Sequence, residues 1–197
     1  MTTPAPQPSS PFGQWIGGQV TTHAHCLLQG NPGPMTLDGT NTWVVMAPGS
    51  SSALVIDPGE DEPDHQQRVV DHVAALGARV TRIVLTHGHL DHSEGAPRLA
   101  ALTGARVQAV GRGHDDLVDG DVLDAGGTEL RVVATPGHTS DSVSFALPAD
   151  HALLTGDTVL GRGTTVVAHP DGELEAYLDS LDTIAGLTGG GAVTSIL

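Results

Sequence analysis

The run Thr86-His87-Gly88-His89-Leu90-Asp91-His92 constrains this chain more than any other feature. Four potential metal ligands, His87, His89, Asp91 and His92, fall within six residues. They follow directly on residues 80–85 (VTRIVL), an apolar, β-branched run that reads as a buried strand. If the chain stays extended beyond that strand, His87 and His89 lie on one side. Asp91 and His92 then turn onto a second position at the start of the next helix. Such a run can feed two neighbouring metal ions with nitrogen and oxygen ligands. The alternative is a polar loop that is merely rich in histidine. It leaves the crowding of imidazoles and a carboxylate without a purpose.

Two later segments place one further ligand each just past a strand end. Thr135-Pro136-Gly137-His138-Thr139 follows residues 130–134, and Thr155-Gly156-Asp157-Thr158 follows residues 152–154. Either alone is a weak signal. In this order, behind the first run, they add His138 and Asp157 to one candidate site.

The remaining pattern is that of a mixed α/β domain. Strands are expected at 19–28, 42–46, 53–56, 80–85, 106–110, 122–123, 129–134, 142–147, 152–154 and 192–197. Residues 42–46 and 53–56 pair as a hairpin through Pro48-Gly49-Ser50. Helices are expected at 63–76, 94–102 and 174–187, from apolar spacings such as Val69, Val73, Leu76. Residues 1–18 read as a flexible leader, rich in proline and serine at its start, and residues 19–197 as one domain.

Composition excludes several classes. The chain of 197 residues carries 23 acidic against 8 basic residues, a net charge of -15, which opposes phosphate backbones and anionic membranes. Aromatic residues are 3%, too few for a base-stacking platform. A single cysteine, Cys26, excludes an internal disulfide and a multi-cysteine zinc site; it reads as a small buried residue. No apolar run is long enough for a membrane-spanning helix. The start of the chain lacks the basic and apolar segments of a secretory signal, so a cytoplasmic protein with a small-molecule substrate is expected.

On these motifs the sequence resembles the metallo-β-lactamase-fold hydrolases over about residues 20–197. The stretches 31–42 (NPGPMTLDGTNT) and 160–166 (LGRGTTV) are similar to the β-lactamase-like protein 2 group within them. The resemblance implies a four-layer αββα sandwich. It implies His87, His89 and His138 on a first zinc, Asp91 and His92 on a second, and Asp157 bridging both. Asp57, in 55–59 (VIDPG), would support the metal loop rather than bind metal. The implied activity is a zinc-dependent hydrolase, with metal-bound hydroxide as nucleophile and Asp91 orienting it and passing the proton. Iron or manganese would also suit the ligands. A small ester or thioester is the first substrate class, as in the hydroxyacylglutathione hydrolases. The animal members of the group imply a second, single-strand endoribonuclease activity, which the charge disfavours.

The resemblance also implies one more histidine on the second zinc, past the last strand. No histidine follows His169. The C-terminal part of the sandwich is therefore expected to be incomplete, the second ion loosely held, and an inactive metal-binding fragment is a third reading. His169 and His151 are the later candidates, and neither spacing demands a ligand. His23 and His25 alternate on one expected strand and could offer a separate pair. Trp43 and Tyr177 read as core or pocket wall. Asp61-Glu62 and Asp115-Asp116 read as solvated, and 111–114 (GRGH) as a turn. Oligomeric state is not readable.

Overall fold

The computed structural model describes residues 15–111, 113 and 115–197. The expectation for residues 1–14, and Arg112 and His114 of the turn at 111–114, lie outside the described residues. The chain runs through strands β1 (Gly18–Gln19), β2 (Ala24–Leu28), β3 (Asn41–Val45) and β4 (Ser52–Ile56), then helix α1 (Pro63–Ala75) and β5 (Arg79–Val84). Helices α2 (Leu90–Ser93) and α3 (Ala96–Thr103) precede β6 (Arg106–Ala109) and β7 (Asp115–Asp116). The second half holds β8 (Val122–Asp124), β9 (Glu129–Ala134), β10 (Val143–Leu147), β11 (Ala152–Leu154), α4 (Leu174–Gly189) and β12 (Ser195–Ile196).

The strands form two sheets. The first has the order β1-β2-β3-β4-β5-β6-β7, antiparallel as far as β4 and parallel from there on. The second has the order β12-β11-β10-β9-β8, with only the β11–β12 pair parallel. The period of two in the sequence sorts side chains between layers. Trp43, Val45, Leu54 and Ile56 face the second sheet and meet Leu130, Phe145 and Leu154 there. Their neighbours Val44, Ala53 and Val55 face the other way, onto Val69 and Val73 of α1 and Leu99 of α3. On the far side, Leu153 packs with Ile184 of α4 and Val193. The result is helices, sheet, sheet, helix, as the resemblance implies. Phe145, with no exposed surface, fills the space between the sheets; its truncation to Ala would cost about 3–5 kcal/mol.

Helix α1 starts on Pro63, whose missing N–H costs nothing in the first turn, with Asp64 favourably placed there. The expected helix at 94–102 is α3, and a separate short helix, α2, precedes it. The chain bends at Gly95, whose N–H donates to the Gly59 carbonyl (2.7 Å) and where a Cβ would lie 2.3 Å from Gln66 Nε2. Pro97 then opens α3, where no N–H is needed.

The expected strand at 19–28 is also broken. Thr21 and His23 turn aside to bond Asp150, His23 Nδ1 at 2.7 Å. His25 remains in β2 and meets His72 of α1, ring centroids 5.2 Å apart. His23 and His25 therefore serve different layers and form no ligand pair. Trp15 is tied to the domain: its N–H donates to Asp38, its indole Nε1 donates to Asn41 (2.6 Å), and its ring packs on the inter-sheet core. The last expected strand, 192–197, shortens to β12. Asp115 and Asp116, expected only as a solvated pair, form the short edge strand β7. Asp61, expected to be solvated, is exposed and ion-paired to Arg98.

Candidate metal centre

Six expected ligands arrive at one end of the sandwich from three strand ends. His87 follows β5, His89 caps the start of α2, and Asp91 and His92 lie on α2. His138 is in the turn after β9, and Asp157 is in a 3-10 turn at Gly156–Thr158 after β11. The two sheets are tied together here, because the Val143 N–H donates to the Thr86 carbonyl (2.8 Å). Gly156 allows the closest approach: at φ +50° a Cβ would lie 2.6 Å from Thr86 Oγ1.

His89 Nδ1 is 3.0 Å from His87 Nε2 and 3.1 Å from His138 Nε2. The three ring centroids form a nearly equilateral triangle with sides of 4.8, 4.9 and 4.8 Å. The far nitrogens fix two of the tautomers. Thr86 Oγ1 donates to the Asp57 carboxylate (2.6 Å), so it accepts at His87 Nδ1 (3.0 Å). The His138 Nδ1–H donates to the Val166 carbonyl (2.6 Å). Nε2 of His87 and Nε2 of His138 are thus left as lone pairs aimed at His89 Nδ1. One proton on His89 cannot satisfy both. A cation with nitrogen ligands fits this donor set.

The other half is carboxylate-rich. His92 Nδ1 donates to Asp57 Oδ2 (2.9 Å), which turns Nε2 towards the other carboxylates. That atom faces Asp157 Oδ1 at 3.4 Å and Asp91 Oδ2 at 3.6 Å. The second oxygen of Asp157 lies 3.6 Å from His138 Nε2, so its carboxylate spans both halves. His87, His92 and Asp157 form a second tight group, and His87 belongs to both groups rather than to the first alone. Asp91 borders the second group without belonging to it. His169 is exposed and in neither group. His151 is an exposed turn residue between β10 and β11.

Charge follows surroundings. Burial, with His92 and other imidazoles nearby, pulls the His87 pKa down to about 2. Burial also lowers His89, with His138 adding to it. For His92 burial acts the same way, but Asp57 and Asp157 outweigh it and hold the pKa well above the ordinary imidazole value. Burial alone would raise Asp157; hydrogen bonding to His92 and the neighbouring imidazoles hold it far below the usual carboxylate range. Cys26 is the opposite of a nucleophile: burial pushes its thiol up to about 12, against a small opposing effect of Trp15.

Asp57 is the support under this cluster. It ends β4 at φ +50°, a conformation that Asp tolerates better than most residues. Its carboxylate takes the Thr86 N–H (2.7 Å), the Thr86 hydroxyl and His92. Its carbonyl takes the Thr42 hydroxyl (2.7 Å), which in turn accepts His65 Nε2–H (2.8 Å), and Arg68 donates to His65 Nδ1 (2.8 Å). This chain reaches from α1 to the metal loop. Thr42, His65 and Arg68 carry no motif, and Thr86 gave only its place beside His87 as a signal.

The cluster opens into a cavity of about 610 Å³. Asp91, His92 and Asp157 line its base, Met35 and Leu37 one wall, and Leu160 the other.

The description "Metallo-beta-lactamase superfamily" matches residues 35–114 and 109–190. An "Atrochrysone carboxyl ACP thioesterase" of Aspergillus fumigatus is 39% identical over 170 residues, 82% of this chain and 51% of that protein. "Lactamase-like protein nscB" of Neosartorya fischeri is 37% identical over 166 residues, 82% of this chain and 49% of that protein. The chain spans about half the length of the curated relatives it matches. Among solved structures, a metallo-beta-lactamase family protein of Thermus thermophilus superposes with a TM-score of 0.73 at 22% identity, over 88% of this chain and 72% of that one. ETHE1 from Myxococcus xanthus gives 0.69 at 28% identity, over 82% and 68%.

Proposed function

This chain belongs to the metallo-β-lactamase superfamily, and we propose that within it the protein is a metal-dependent hydrolase of acyl thioesters. The observation that carries the reading is the convergence of His87 Nε2, His89 Nδ1 and His138 Nε2, with Asp157 reaching from that triangle to His92, beside an open cavity. In this reading His87, His89 and His138 would hold one ion, His92 and Asp91 would hold a second, and Asp157 would serve both. Zinc is the first expectation, with iron or manganese compatible with the same ligands. When bound, the ions supply Lewis acidity and a water acidic enough to react near neutral pH.

The chain's own residues do the rest. The Thr86 and Val166 oxygens fix the tautomers of His87 and His138 before any ion arrives. Asp91 lines the cavity with its carboxylate partly exposed, and Oδ2 is the atom proposed to take a proton from the attacking water and return it to the leaving thiolate. No serine or cysteine nucleophile is required, which agrees with the unreactive Cys26. The thioester class is supported by the 39% identical relative. RNA is disfavoured by the net charge of -15.

The test compares release of free thiol from an acyl thioester with cleavage of single-stranded RNA by the metal-loaded chain. Thioester hydrolysis that falls on the order of 1,000-fold in His89→Ala is the expected result. Cleavage of RNA, lost in that variant, with the thioester untouched would refute the proposal.

A further inference from the structure

The cavity beside the cluster has a second chemical character. Both tryptophans of the chain, Trp15 and Trp43, line it, with Met35, Leu37 and Val159. Its volume suits an organic group of moderate size. Set among these apolar walls is one arginine. The chain has no lysine and eight arginines, and among the described residues only Arg162 lines this cavity.

Arg162 is carried by a loop fastened at both ends to the ligand cluster. The loop leaves directly from Asp157, and the Thr165 hydroxyl donates back to the Asp157 carbonyl (2.8 Å). At the far end Val166 holds His138. Across the cavity, Arg162 Nη2 meets Asp38 Oδ1 at 2.8 Å. Asp38 lies in the opposite wall, which Gln29 ties through the Thr40 carbonyl to the segment after Asp57, by bonding both the N–H and the carbonyl of Glu60. The Arg162 side chain is 55% exposed, and an ion pair this open is readily exchanged for another anion. A guanidinium presents a planar fork suited to carboxylate or phosphate.

We propose that this cavity is the recognition subsite for a hydrophobic acid: an apolar acyl body against Trp15 and Met35, and an acidic group that displaces Asp38 from Arg162. The proposal rests on the thioesterase reading for the place of the scissile bond and adds the substrate's charge. In a chain of net charge -15, an anionic substrate needs such a local cation to enter.

The experiment is a binding titration of the metal-loaded chain, followed by tryptophan emission, with octanoate, octyl phosphate and methyl octanoate. At least one anion should bind about tenfold more tightly than the neutral ester. The stronger of the two identifies the acidic group. Arg162→Gln should remove the difference while the ester keeps its affinity. Asp38→Asn should move the other way and tighten the anion, so the proposal does not hang on one variant. A preference for the anion that survives in Arg162→Gln would assign it to the ions and overturn the subsite, as would an anion affinity that does not rise in Asp38→Asn, or the absence of any preference. Hydrolysis without arginine-dependent discrimination sinks this proposal alone; discrimination without hydrolysis sinks the thioesterase reading alone.

Discussion

The rings of His87 and His92 lie 4.3 Å apart, yet their surroundings drive them in opposite directions. His87 meets other imidazoles and a threonine hydroxyl, and burial keeps it neutral. His92 is held between Asp57 and Asp157, which keep a proton on it despite burial. Before any ion binds, the same side chain is thus a ready lone pair in one half of the cluster and held protonated in the other, where an ion would have to displace that proton. The comparison teaches that ligand identity is insufficient to describe such a site. The groups one bond further out decide what each imidazole offers.

Removing the shared support is the strongest way to break the contrast. Asp57→Ala leaves the Thr86 N–H and His92 without their buried acceptor. We expect a loss of about 3–5 kcal/mol in urea unfolding, because breaking a buried charged network strands its partners. A loss below about 1 kcal/mol, a small fraction of that order, would mean that the network is not the support described.

Next in size is a difference between the halves themselves. His89→Ala should weaken the tightest metal equilibrium by more than about 100-fold, since the triangle loses the atom common to both short contacts. Asp157→Ala should spare one ion and lose the other. Metal titration with a chromophoric chelator reads both, and equal losses would show one indivisible site.

Thr86→Val is smaller. It removes the acceptor that fixes His87 and keeps the shape, so metal affinity should fall about 10-fold. An unchanged affinity would show that the tautomer is set elsewhere.

The gentlest probe is pH. Burial, with Arg68 beside it, lowers the His65 pKa from 6.5 to about 4. A folded value below the unfolded one means the unfolded chain takes up the proton first. The contribution of His65 to stability is therefore complete above pH 6.5 and is lost as pH falls towards 4. His65→Gln should flatten that part of the stability curve, and a slope unaltered by the substitution would assign it to other groups.

That these six side chains would gather at one end of the sandwich was legible because the runs that carry them begin just past strand ends, and the strands here are plain apolar runs. The layers were expected from the resemblance alone, and alternation accounts for them: Trp43 and Val44 adjoin in sequence and part company in space. What escaped was interaction across distance. Nothing local in 29–40 says that Gln29 grips Glu60, and nothing in 160–166 pairs Arg162 with Asp38. The break between α2 and α3 escaped because it depends on the Gly59 carbonyl and Gln66, which belong to another part of the chain. The kink after β1 escaped likewise, since Asp150 causes it.

The bond from the Val143 amide to the Thr86 carbonyl makes the cluster a clasp between the two sheets. Neither half of the sandwich can peel away without pulling at a neighbour of His87. Ions seated there would bind only when both layers are in register, so occupancy would sharpen the melting transition and protect the whole molecule from stepwise fraying.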